Sequence, residues 1–141
     1  MEKFRVLMVD DEKDFGETIV KRLIDRGLEA TGVHSGPEAL DLLDKKDFDV
    51  VILDVEMPGM DGTETLRVMK ERKPFTEVIM LTGHDSVKSA IRALQLGAYN
   101  YVMKPVPLDD LLKQMARAYE RKLIAEERAQ QAEMKSVSER V

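Results

Sequence analysis

The chain of 141 residues contains no cysteine, which removes disulfides and thiolate metal sites together. It has no excess of positive charge either: 22 Lys and Arg stand against 27 Asp and Glu, a formal net charge of -5. Sequence-independent nucleic-acid binding needs a positive field, so no direct nucleic-acid contact is expected. Long apolar runs are also missing. The longest are strand-sized and the N-terminus carries no extended apolar segment, so neither a membrane span nor a secretory signal is expected. There is no low-complexity segment. These absences together describe a soluble protein of a reducing, cytoplasmic compartment.

What is present is a chain long enough for one domain that buries roughly two-thirds of its unfolded surface. Short β-rich apolar runs alternate with amphipathic stretches of helical period, the pattern of repeated βα units around a parallel sheet. Strands are predicted over residues 4–9, 29–33, 50–53, 77–81 and 99–103. The third and fourth are apolar nearly throughout and belong at the sheet centre, covered on both faces. Between them, Phe15, Thr18, Ile19, Leu23 and Arg26 mark a helix closed by Gly27, and Pro37 opens one carrying Ala39, Leu40, Leu42 and Leu43. Leu66 and Met69 mark a third. Val87, Ala90, Ile91 and Leu94 share a face on a fourth, capped by Asp85 or Ser86 and ended by Gly97; a fifth starts after Pro107.

In open parallel sheets, ligands bind beyond the carboxyl ends of the strands, so the residues found there carry the chemical information. The first strand ends in Asp10 and Asp11, the third in Asp54, the fourth in Thr82, the fifth in Lys104. Singly, an acidic pair is more often a solvated turn, and a lone lysine more often a solvated charge. Their joint placement at the ends of four strands points instead to a site. Adjacent carboxylates become favourable around a hard divalent cation, and Mg²⁺ is commonly held by one or two carboxylates with waters and phosphate oxygens. Asp11 and Asp54 are the expected direct ligands of Mg²⁺ or Mn²⁺. Asp10 would act partly through water, and the backbone carbonyl of Glu56 would supply a further oxygen.

The stretches "VDDE" (Val9 to Glu12), "LDVEMPGMDG" (Leu53 to Gly62), "LTGH" (Leu81 to His84) and "GAYNYVMKP" (Gly97 to Pro105) resemble the receiver domain of two-component response regulators. The resemblance covers about residues 3–124. It implies a flavodoxin-like, doubly wound five-stranded parallel sheet of order 2-1-3-4-5. It implies Asp54 as the phosphoacceptor, Asp10 and Asp11 as metal-binding acids, Lys104 as the phosphoryl contact and Thr82 with Tyr101 as the switch pair. A cis Lys104-Pro105 bond is implied too. The resemblance also implies that Glu56 and His84 flank the path of an attacking water. The partners implied are a sensor histidine kinase, a phosphotransfer protein or a small phosphodonor upstream, and a downstream effector or fused output domain. The stretch "GHDSVKSAIRALQLGAYNYVMKP" most resembles receivers that control AAA+ transcription activators.

Three other readings compete. A phosphate-independent interaction module would be favoured if Asp11, Asp54 or Lys104 were missing, and none is. A flavodoxin-like cofactor binder needs a phosphate-cradling loop after the first strand, where this chain places three acids. An aspartate-nucleophile phosphatase would carry its nucleophile on the first strand with a second acid two residues on, a pattern that Asp54-Val55-Glu56 meets only superficially. The apolar stripe through Leu108, Leu111, Leu112, Met115, Tyr119 and Leu123 predicts a fifth helix packed on the sheet to about Ile124. The receiver is thus expected over residues 1–124. Residues 125–141, which lack a sustained heptad, are expected to form a frayed helical extension or a linker to an output domain absent from this sequence. Any homodimer contact is expected chiefly on the face running from the fourth helix to the fifth.

Overall fold

The computed structural model describes residues 2–83 and 87–140. Its elements run β1 (Arg5–Val9), α1 (Lys13–Asp25), β2 (Glu29–Val33), α2 (Gly36–Lys45), β3 (Val50–Asp54), α3 (Gly62–Arg72), β4 (Glu77–Thr82), α4 (Val87–Gln95), β5 (Asn100–Met103) and α5 (Leu108–Arg140). The strands form one parallel sheet of order β2-β1-β3-β4-β5, the predicted topology. β3 and β4 are buried along their whole lengths, as central strands covered on both faces must be. Alternation along the strands sends Leu7, Val9, Val51, Leu53, Val78 and Met80 to a cluster with α2 and α3. Val6, Met8, Val50, Ile52, Ile79 and Leu81 go to a second cluster with α1 and α5.

Local chemistry sets the helix ends. Ser35 caps α2 by accepting from the Glu38 N–H, with Pro37 in the first turn, and Asp61 caps α3 by accepting from the Glu64 N–H. Gly27 follows α1 at φ 89 and Gly97 follows α4 at φ 101, left-handed positions that favour glycine. The proposed caps Asp85 and Ser86 lie outside the described residues.

The structure refines the sequence reading in three places. Val87, Ile91 and Leu94 share a face of α4, but that face is exposed at 71%, 51% and 48%; the residue α4 buries is Ala93. On α5, burial on the sheet ends with Ala118 and the half-buried Tyr119, whose ring stacks on Phe4, so the exposed Leu123 and Ile124 lie beyond the packed face. The helix itself continues to Arg140. Last, β4 opens on a buried acid, Glu77, which pairs with Lys70 at 3.4 Å and with Arg121 of α5. Lys122 reaches Asp49 at 3.1 Å, so two ion pairs tie α5 to the sheet edge opposite the strand-end acids.

Candidate functional site

The parallel strands deliver every predicted strand-end residue to one edge. Asp54 and Thr82 are the last residues of β3 and β4; Asp10 and Asp11 follow β1 and Lys104 follows β5. Asp10 and Thr82 are fully buried and Asp54 is 5% exposed, whereas Asp11 is exposed at the mouth. One carboxylate oxygen from each of Asp10, Asp11 and Asp54 lies within 4.8 Å of the others. Across this group the Lys104 ammonium stands 3.0 Å from Asp10 Oδ2 and 3.8 Å from Glu12 Oε1.

Burial and the neighbouring Asp10 charge push the Asp54 carboxyl up to about 7, against the lowering pull of Lys104 and of the Glu56 N–H, which donates to Asp54 Oδ1 at 3.4 Å. For Lys104, burial favours the neutral amine, but the hydrogen bond that its ammonium donates to Asp10 and the charges of Asp10, Asp54 and Glu12 outweigh it and hold the ammonium above its ordinary value. A buried carboxylate that resists ionisation beside two more acids is a set of hard oxygen donors short of positive charge. That donor set fits a divalent cation of the Mg²⁺ or Mn²⁺ type better than it fits a softer metal.

The surrounding loops are built tightly around Asp54. Gly59 takes φ 77 in the turn after Pro58, Met57 is buried below it and Met60 packs half-buried against the same cluster. At Gly62 a Cβ would stand 2.1 Å from the Asp54 carbonyl oxygen and 2.7 Å from the Val55 Cα, both backbone atoms that cannot swing aside. Gly62→Ala is therefore expected to push the end of β3 out of place and to lower stability by about 1–3 kcal/mol. Urea unfolding checks this; an unchanged midpoint would mean that the backbone there gives way freely.

Tyr101 lies on β5 beside Met80 of β4, half-buried against the α2/α3 cluster. Glu56 is exposed two residues beyond Asp54. The Lys104-Pro105 peptide bond is cis. His84 lies outside the described residues. Two neighbours escaped the sequence reading: His34, whose Nδ1 is 3.3 Å from the Asp10 carbonyl oxygen, and Phe15, whose ring centroid is 4.3 Å from the Lys104 ammonium. Only the tertiary fold brings residues 15 and 104 together, so no local spacing signals the pair.

Comparison with known proteins adds relatives to this geometry. A family model described as response regulator receiver domain matches residues 6–116. The DNA-binding transcriptional regulator NtrC of Klebsiella pneumoniae is 38% identical over 79% of this chain and 24% of its own length. The putative response regulator NtrX-like protein of Rickettsia bellii is 38% identical over 82% of this chain and 24% of its own. The chain thus spans about a quarter of the length of these curated relatives. Among solved structures, a response regulator receiver domain protein from Clostridium thermocellum superposes with TM-score 0.82 at 35% identity, over 86% of this chain and 98% of that one. NtrX from Brucella abortus gives TM-score 0.84 at 29% identity, over 91% of this chain and 30% of that one.

Proposed function

The chain belongs to the response regulator receiver domain family, and from that premise we propose that it is a phosphorylation-dependent switch whose phosphoacceptor is Asp54. The observation that carries this reading is the confinement of the Asp54 carboxyl between the acids Asp10 and Asp11 and the ammonium of Lys104 at one sheet edge. An Asp54 carboxylate oxygen forms a bond to phosphorus. The P–N bond to a kinase or phosphotransfer histidine, or the P–O bond to the acetate of acetyl phosphate, breaks with its electron pair. The imidazole leaves with a proton and acetate leaves as the anion. The work is positioning and charge neutralisation, as in other phosphoryl transfers.

Asp10, Asp11 and Asp54, with the Glu56 carbonyl, are the residues that would hold Mg²⁺ or Mn²⁺. A cation so held supplies positive charge to the transferring oxygens. Lys104 contributes a second positive charge from the end of β5, on the same sheet edge. Once formed, the acyl phosphate carries about -1.5 to -2 charges, and the Thr82 hydroxyl at the adjacent strand end can donate to it. In this reading Tyr101, next in the sheet, follows Thr82 and alters the face of α4, β5 and α5. Charge biases a local two-state element, and no large motion is required.

The sequence relatives include a DNA-binding regulator, which supports a downstream effector or output domain as the recipient of the signal, with residues 125–140 of α5 as the helical connection and the receiver over residues 1–124. The exposed apolar face of α4 is the place for a partner or a second copy. Among the described residues no helix is long and apolar enough to cross a membrane, which accords with signalling in the cytoplasm. Incubation with acetyl phosphate and Mg²⁺ tests the proposal. We expect one phosphoryl group per chain by intact mass, and none when a chelator is present from the start. Equal incorporation in chelator would sink the reading.

A further inference from the structure

Lys104 has a neighbour that is not a charge. Its ammonium stands 4.3 Å from the centroid of the Phe15 ring, inside the range over which a cation is held by the negative face of an aromatic ring. Phe15 sits in the first turn of α1, just after the acid-bearing turn, and is packed against the cluster that α1 and α5 form on the sheet. Its ring therefore stands between the apolar core and the strand-end acids. The Lys104 side chain is 16% exposed, so water screens the contact poorly.

Among the described residues, the ion-pair partners of Lys104 are Asp10 at 3.0 Å and Glu12 at 3.8 Å. An ammonium held by acids alone would have to leave a full ion pair to meet a phosphoryl group on Asp54. A ring face attracts the cation without taking a directed hydrogen bond, so it can keep the ammonium at the mouth while the N–H groups change acceptor. We propose that Phe15 is a positioning residue for phosphoryl transfer, holding the Lys104 ammonium over its ring face within reach of Asp54. This rests on the reading of Asp54 as phosphoacceptor and of Lys104 as its phosphoryl contact.

The test compares initial rates of acetyl phosphate uptake with Mg²⁺ in the full chain, with phenylalanine 15 replaced site-specifically by its mono-, di- and trifluorinated forms. Fluorine drains the ring face while nearly preserving its shape. We expect the rate to fall stepwise with fluorination, and Phe15→Leu to be slower by about fivefold. Phe15→Tyr, which keeps the ring face, should restore most of the native rate. In a Lys104→Met background the same fluorinated series should be flat. A flat series in the native background, or an equal decline with and without Lys104, would overturn the inference and leave Phe15 a packing residue. Asp54→Asn run alongside separates the two claims: if it takes up phosphoryl at the native rate the whole reading falls, whereas if it is inert and the series is flat only the role of Phe15 falls.

Discussion

Asp54→Asn will take up no phosphoryl group and, in chelator, will unfold at a higher temperature than the native chain at pH 8. The first effect follows from loss of the nucleophile. The second follows from the position of Asp54 at the end of a buried strand, where burial and Asp10 push its carboxyl from 3.8 up to about 7. Between those values the folded chain holds a proton that the unfolded chain has released, so stability falls as pH rises through this window. Below about pH 4 both states are protonated and the penalty vanishes; above pH 7 it is fully present. Asparagine has nearly the same shape and no charge to bury. The gain at pH 8 should be roughly 2–4 kcal/mol, or roughly 5–10 °C in melting temperature. Melting curves of both chains from pH 4 to 8 check it. Curves that stay parallel over the whole range would show that Asp54 ionises without cost.

Lys104→Met will slow uptake by about a hundredfold or more while leaving the fold intact. Removing a preorganised donor from developing negative charge costs on the order of 100- to 1000-fold in rate. The methylene stem of methionine can keep the packing that the lysine stem provides. The variant also leaves Asp10 buried without its 3.0 Å partner, so affinity for a divalent cation should rise as the rate falls. A rate within about threefold of native would place Lys104 outside the reaction, since that is less than one hydrogen bond to a charged group is worth. Rapid-quench kinetics at saturating acetyl phosphate make the comparison.

How far these claims were legible in the sequence depends on the range of the interactions. The sheet order and the shared edge of Asp10, Asp11, Asp54, Thr82 and Lys104 follow from strand periodicity, the motif resemblance and the rule that parallel sheets bind at their carboxyl ends. The α4 stripe shows the limit of such patterns. Val87, Ile91 and Leu94 have the spacing of a core face, yet the small Ala93 is what lies against the sheet layer, and the larger residues stand in solvent. Periodicity marks a face without saying what covers it.

Glu77 is a different case. A charged residue at the head of a central strand reads as a strand boundary, and its burial depends on Lys70 and Arg121, which are 7 and 44 positions away. Phe15 reads as helix core, which it is, but its second face belongs to a lysine 89 positions along the chain. The packed length of α5 was overestimated because Leu123 and Ile124 continue the apolar stripe after the sheet beneath it has ended.

Trapping the acyl phosphate is the most direct test of the central claim. The chain is incubated with Mg²⁺ and acetyl phosphate, reduced with borohydride, which converts an aspartyl phosphate to homoserine, and digested for peptide sequencing by mass spectrometry. Homoserine at position 54, in that peptide alone and absent when the cation is chelated, is the result expected. Homoserine at position 10 or 11, or an unmodified position 54 in a chain that has gained phosphate, would contradict the account.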